Sequence, residues 1–489
     1  MGYTVPAEDL PVPGRDTYFW LGEINKSSLV INSDEGLLES ETAHRIARGL
    51  HKLLISGNQP NAPRPSLVIT FEPLLIEAAG VEATLLHAGR SSQDMLTTAS
   101  TAIIRDAVLK LASQLHATTR RLLKLAETHA GTLVPNYTNG VAAQPNSYGH
   151  YLLGHVAGLH RDGERLQQLY ARLDRCAMGT TVLNGTSWPL NRRRMAKYLG
   201  FAAVVDNAYD AAQISAAEMP VEIGAIASQI ALHAGSYIQD VMVQYSQPKP
   251  WILLQEGGEN TYASSAMPQK RNPGLLNRAR AEASRVVTLG VGRAIQGHNL
   301  PPGMVDAKDL GDNLAVVNGA TGVLNDWCRI LNALSIDGQR SLRELDLDWT
   351  ASQELADILM REHKVPFRVG HHFASEVVRY AKAQDLYPSS FPYAEASRIF
   401  TETLEHTELE AERYSFLSEQ DFRDALDPAG IIKRRATLGG PQPEEMERMF
   451  DGSKRILQSL ESWVAERKSH INSALGELDT AFGTFLSSE

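Results

Sequence analysis

Apolar residues recur at three- and four-residue intervals along five stretches of this chain, the pattern of helices with one buried face. Residues 96–130 carry Ile103, Ile104, Val108, Leu111, Leu115, Leu122, Leu123 and Leu125 at that spacing, with no proline. Residues 148–176 repeat the behaviour. A third segment starts at Pro220, a favourable first-turn residue, and runs through Ile223, Ile230, Tyr237 and Val243. A fourth covers about 275–295 and a fifth about 313–334. Alternating β-branched residues are scarce. Long helices separated by loops predict an all-α fold with a central bundle.

The flanking pattern is less regular. Residues 1–20 are rich in Pro and Gly and read as an arm, followed by a helical stripe from Leu29 to Leu54. Gly57–Pro65 breaks the pattern, and Val134–Pro145 reads as a loop. Beyond Leu345 the segments shorten, with loops at 365–368, 387–388 and 438–441. The expected division is an N-terminal helical domain over 1–94, the bundle over 95–362 and a small helical domain over 363–489.

Composition narrows the function classes. With 43% hydrophobic and 21% charged residues, the 489-residue chain reads as globular and long enough for several domains. A net charge of −10 argues against a nucleic-acid binder. Cys176 and Cys328 give neither metal nor disulfide spacing, and no run is long enough to span a membrane. A cytoplasmic protein with no metal and no cofactor is therefore expected. Phosphate loops, His-Glu-x-x-His and Gly-x-Ser-x-Gly are missing, and His371-His372 reads as a packing or surface pair.

What remains is four polar loops beside long helices: Gly89–Asp94, Asn136–Asn146, Met178–Asn184 and Ala263–Pro273. Arg90 and Lys270 offer positive charge. Ser91, Ser92, Gln93, Thr138, Asn139, Gln144 and Asn272 offer neutral hydrogen bonds. That set suits a small dicarboxylate or amino-acid substrate. Taken singly, each residue serves as well to cap a helix or satisfy a turn.

Together the loops resemble the fumarase/aspartase superfamily, and its argininosuccinate lyase branch most closely. Ser-Ser-Ala-Met-Pro-Gln-Lys-Arg-Asn-Pro at 264–273 is similar to the superfamily's signature loop, and His87–Ser91 to the branch's first substrate loop. Tyr137-Thr138, with Ala143-Gln144-Pro145 and Gly149-His150, resembles the second. The resemblance extends through Asn184–Arg192, Pro366–Arg368, Leu426–Pro428 and Gly439-Gly440. It implies three helical domains, a homotetramer built on a many-helix core, and active sites shared between three subunits. It also implies β-elimination from a succinyl compound with release of fumarate. Ser264 would be the base, with Lys270 and Asn272 holding the resulting dianion.

Three departures bear on the substrate. The branch's Thr-His in the second loop is Thr138-Asn139 here, and an amide cannot supply a proton near neutral pH. The first loop reads Ser91-Ser92-Gln93-Asp94, as in cycloisomerase members, where argininosuccinate lyases have Arg-Asn in the middle. Aligning Lys308-Asp309 on the branch's Lys-Asp puts Asp306, Gly311 and Leu314 where Tyr, Gln and Lys grip the guanidinium end. The expected activity is therefore elimination of an amine from an N-substituted aspartate, such as an aminopolycarboxylate, rather than from argininosuccinate. A carboxymuconate-type cycloisomerase and a catalytically silent structural relative are the rival readings.

Overall fold

The structure is a computed structural model that describes residues 4–487. Its first helices are α1 (Thr17–Asp34), α2 (Ser40–Gly57) and α3 (Val68–Ala79). The bundle follows with α4 (Ser92–Thr128), α5 (Tyr148–Leu173), the short α6 (Arg192–Tyr198), α7 (Ser215–Gln244), α8 (Gly274–Gly297) and α9 (Leu310–Ala333). Shorter helices come next: α10 (Gly338–Leu347), α11 (Gln353–His363), α12 (Phe367–Ala383), α13 (Tyr393–Glu405), α14 (Glu419–Ala425) and α15 (Pro428–Arg434). The chain closes on α16 (Pro443–Gly483). The five apolar stripes are thus α4, α5, α7, α8 and α9.

Three local expectations are corrected. Val134–Pro145 is not an irregular loop but a hairpin of β1 (Leu133–Thr138) and β2 (Val141–Ser147). Asn139 and Gly140, both at positive φ, form its two-residue turn, a strong hairpin signal that the missing β-branched alternation hid. α7 begins before Pro220, after a wide π turn over Asp210–Ile214. The proline forgoes one N–H···O bond, to Ala216, without ending the helix. Finally, the C-terminal region holds the longest helix of all, the 41-residue α16. Its buried stripe from Met446 to Phe482 is so diluted by charged residues that the periodicity is faint in the sequence.

Buried apolar side chains form one large core, a smaller one and a patch of Ala177, Val205 and Ala211. The large core runs from Leu10 to Phe485 and joins α1, α2, α4, α5, α7, α8, α9 and α16. The smaller gathers residues between Trp349 and Ile431. Within the stretch 363–489, residues up to Ile431 belong to the small core, whereas α16 lies on the large one. Phe373, Phe391, Phe400, Phe416 and Phe422 meet in the small core, Phe373 edge to face with Phe400 and Phe416 and the Phe422 ring tilted against Phe391 and Phe416.

Buried Arg105 ties the bundle to the loop after α6. It pairs with Asp174 at 3.0 Å, donates to the Leu199 and Gly200 carbonyls and lies over the Phe201 ring. Its charge is desolvated and held through both terminal nitrogens, while the buried Nε has no partner, so removing either member of the pair would strand the other. α7 and α8 run antiparallel and touch backbone to backbone. A Cβ on Gly290 would stand 2.5 Å from the Gly224 carbonyl oxygen. Gly290→Ala is expected to cost about 1–3 kcal/mol through overpacking. Gly452→Ala, in open space on α16, should be neutral or gain about 0.5–1 kcal/mol. Urea denaturation midpoints distinguish the two.

Three histidines inside the bundle predict a pH dependence. Burial pushes the imidazoles of His116, His155 and His160 down to about 4. In the unfolded chain they titrate near 6.5, so between these values the unfolded state binds more protons than the native state. Stability should therefore fall as pH drops from about 6.5 to 4, beyond what the carboxylates contribute. A urea midpoint that stays flat between pH 7.5 and 5 would contradict this.

Candidate active site

The first polar loop is built by helix capping. Ser91 is the N-cap of α4, its hydroxyl accepting from the Gln93 N–H at 3.0 Å, while Asp94 accepts from the Ser91 N–H at 2.9 Å. The other oxygen of buried Asp94 receives the N–H groups of Gly179 and Thr181, both at 3.0 Å. One carboxylate thus fastens the first loop to the Met178–Asn184 loop. The Ser91 hydroxyl donates to the Thr181 carbonyl. Arg90 lies beneath this loop, 7% exposed, donating to Ser28 at 3.0 Å and Asn25 at 3.1 Å. Burial lowers its guanidinium to about 10, still protonated at neutral pH. Ser92 is exposed and Gln93 half-buried at the helix end.

Gln93 also joins the first loop to the segment before α9. Its amide donates to the Ala212 carbonyl, which accepts from the Lys308 ammonium as well. Lys308 is buried, and desolvation lowers its pKa. Of the positions aligned with a guanidinium grip, Asp306 is exposed, Gly311 has no side chain to offer, and Leu314 is packed in the large core.

The second loop lies at the far end of α4. A 37-residue helix spans about 55 Å, so Ser91–Gln93 and Thr138–Asn139 of one chain cannot touch the same small molecule. Thr138 pairs with Val141 at the hairpin tip, and Asn139 is exposed in the turn. Gln144 is engaged by Gln353 and, at 3.4 Å, by Arg435.

The signature loop opens at that same far end. Gln244, at the C-terminal end of α7, reaches the hairpin at Tyr137, and α8 starts from this end because it runs antiparallel to α7. The loop is itself a hairpin: Tyr262 pairs with Asn272, Ala263 with Arg271, and the Ser264 N–H donates to the Lys270 carbonyl at 3.2 Å. Gly257 and Gly258, at φ +93° and +56°, make the turn that leads into it. The Ser264 oxygen accepts from the Met267 N–H at 3.1 Å and the Ala266 N–H at 3.4 Å. Two fixed N–H dipoles therefore face the one oxygen that would carry charge as a base. Lys270 is exposed, and the Asn272 amide leans on the Tyr262 carbonyl at 3.4 Å.

A network that the sequence did not single out sits behind the hairpin. The Tyr137 hydroxyl donates to Glu344 and accepts from Gln244 and Trp251, the last two at 2.9 Å. Burial, then the Glu344 carboxylate, drives this phenol well above its ordinary pKa. The signal available was the Tyr next to Thr138; its partners come from positions more than 100 residues away and left none. A cavity of about 480 Å³ opens beside the network, between the hairpin and the last turns of α7. Among the described residues, no group of three or more His, Cys, Asp or Glu is placed to hold a metal ion, and no helix is long and apolar enough to cross a membrane.

The chain and its fold have known relatives. Residues 73–288 match the family described as Lyase, and residues 349–433 match the argininosuccinate lyase C-terminal family. The argininosuccinate lyase of Methanothrix thermoacetophila is 26% identical over 475 residues, covering 96% of this chain and 94% of that protein. Among solved structures, EDDS lyase in complex with formate superposes with a TM-score of 0.83 at 22% identity, covering 96% of this chain and 92% of that one. The β-carboxy-cis,cis-muconate cycloisomerase of Acinetobacter calcoaceticus reaches 0.66 at 15% identity, covering 90% and 96%. The matches span nearly the whole chain and include both the signature loop and the small helical region. The chain belongs to the fumarase/aspartase superfamily, in its argininosuccinate lyase-like branch, and is a carbon–nitrogen lyase of the fumarate-releasing kind.

Proposed function

We propose that this protein eliminates an amine other than arginine from an N-substituted aspartate, and that it does so as a homotetramer. The observation that carries the mechanism is the Ser264 oxygen held by two backbone N–H groups in an exposed, hairpin-closed loop. Those dipoles, with the Lys270 ammonium nearby in sequence, lower the cost of a serine alkoxide. The alkoxide takes the proton from the carbon beside a carboxylate. The electron pair then forms the double bond of fumarate as the C–N bond breaks, and water delivers a proton to the departing nitrogen. Asn139 has no proton to give.

Ser91, Ser92 and Gln93 at the α4 N-terminus would hold one carboxylate, favoured by the positive end of a long helix. Arg90 supports them from below. Thr138, Asn139 and Gln144 would come from another subunit and Ser264, Lys270 and Asn272 from a third. The length of α4 supports that sharing, because it keeps the first and second loops of one chain apart. The leaving amine is proposed to differ from arginine because, of the three aligned positions, Gly311 and buried Leu314 offer a guanidinium nothing polar and only exposed Asp306 could bind it. N-substituted aspartates of the aminopolycarboxylate kind are the class to test first.

Fumarate absorbance across a panel of N-substituted aspartates, argininosuccinate included, checks this reading. At least one aminopolycarboxylate should exceed argininosuccinate in kcat/KM. Ser264→Ala should lower kcat by roughly 10³-fold or more while the oligomer persists, the scale on which loss of a positioned base or nucleophile acts. Silence of the wild type towards every member would favour the cycloisomerase or the silent relative.

A further inference from the structure

One buried charge in the bundle lacks a counter-charge. Lys308 is 9% exposed, and its ammonium donates to the Ala212 carbonyl and, at 3.3 Å, to the side-chain oxygen of Gln213. Among the described residues no carboxylate pairs with it, and the cost of burial alone acts on its pKa. Buried Arg105, by contrast, has Asp174. An ammonium carries three N–H groups, so Lys308 keeps one unspent. A desolvated charge held by neutral oxygens alone is costly, and an anion within reach would offset that cost.

A cavity of about 50 Å³ lies against Lys308, between α4, the end of α5 and the start of α7. Thr97, Ser100 and Thr101 line it from one face of α4, at helical neighbour spacing. Ser100 is 8% exposed, and its hydroxyl has no hydrogen-bond partner. Arg172 and Arg175 also line the space, and Arg172 is paired with Glu222. Among the described residues, no Asp or Glu lines it.

Every charged side chain on this wall is thus positive, and the hydroxyls beside them can donate. Size narrows the ligand. One water needs about 10–15 Å³ of such space, and pockets for drug-sized ligands run to about 300 Å³ or more. The cavity therefore has room for a monatomic ion with a little water and none for an N-substituted aspartate. Ser100 also lies eight residues past Ser92, about 12 Å along the helix, clear of the α4 terminus assigned to substrate.

We propose that Lys308 and Ser100 bind a monatomic anion, chloride being the abundant one, as the missing counter-ion of the bundle. The anion would accept the third N–H of Lys308 and the Ser100 O–H, with Arg172 and Arg175 adding positive potential. The Ala212 carbonyl accepts from Gln93 as well as from Lys308, so an anion that fixes Lys308 also steadies the first polar loop. Binding requires neither substrate nor turnover and does not depend on the lyase reading.

Thermal unfolding of the intact protein in sodium gluconate, with chloride substituted at constant ionic strength, tests this. The melting temperature should rise saturably with chloride, since a ligand that binds the native state alone stabilises it. Ser100→Ala should weaken the apparent chloride affinity roughly tenfold, the scale of one hydrogen bond to a charged group. Lys308→Met should abolish the rise. If that variant fails to fold, broadening of the chloride NMR line by the wild type, reduced in Ser100→Ala, reports the same site. No rise in the wild type, or an equal rise in wild type and Ser100→Ala, overturns the proposal. A rise with phosphate or acetate but not with chloride overturns it too. Loss of the chloride effect under saturating fumarate would put the anion in the substrate site and likewise overturn it.

Discussion

The length of α4 is the constraint on which the rest depends. A helix of 37 residues is about 55 Å long and holds the first and second polar loops at its opposite ends. No rearrangement of side chains closes that gap. Everything that could bind substrate therefore sits at one end or the other of an antiparallel bundle. Ser91–Gln93 and the Met178–Asn184 loop lie at one end, and the Asn139 hairpin and the Ser264 loop at the other. The proposed site, which draws on both ends, therefore calls for more than one subunit.

Each end is prepared separately. At the first, Asp94 holds two loops with one carboxylate, and Arg90 is spent on Ser28 and Asn25. Ser92 is left exposed, while half-buried Gln93 spends its amide on the Ala212 carbonyl. At the second, the Tyr137 hydroxyl gathers Glu344, Gln244 and Trp251, so the hairpin is braced against α7 and α10. The signature loop needs no such brace, since its own strand pair and the Ser264 turn shape it.

Asn139, where the resemblance implies a His, has a backbone role of its own. Asn139 and Gly140 both adopt positive φ, which Asn and Gly tolerate better than other residues. The position is a hairpin turn before it is anything else. That turn also lines the cavity between the hairpin and the end of α7.

The sequence by itself determined the all-α class, the five bundle helices and the loops between them, because helical periodicity and N-capping are local. It also located Ser264, Lys270 and Asn272 as one polar loop between glycines and prolines. The hairpin at 133–147 was misread because its apolar alternation is weak and its signal was confined to one Asn-Gly pair. Helix α16 was missed because its buried stripe is sparse. Only the tertiary structure decided that Arg90 lies buried under its loop, that Leu314 belongs to the core, and that Tyr137 meets Glu344, Gln244 and Trp251. Those facts depend on contacts between residues tens to hundreds of positions apart, and no local pattern encodes which distant side chain will arrive.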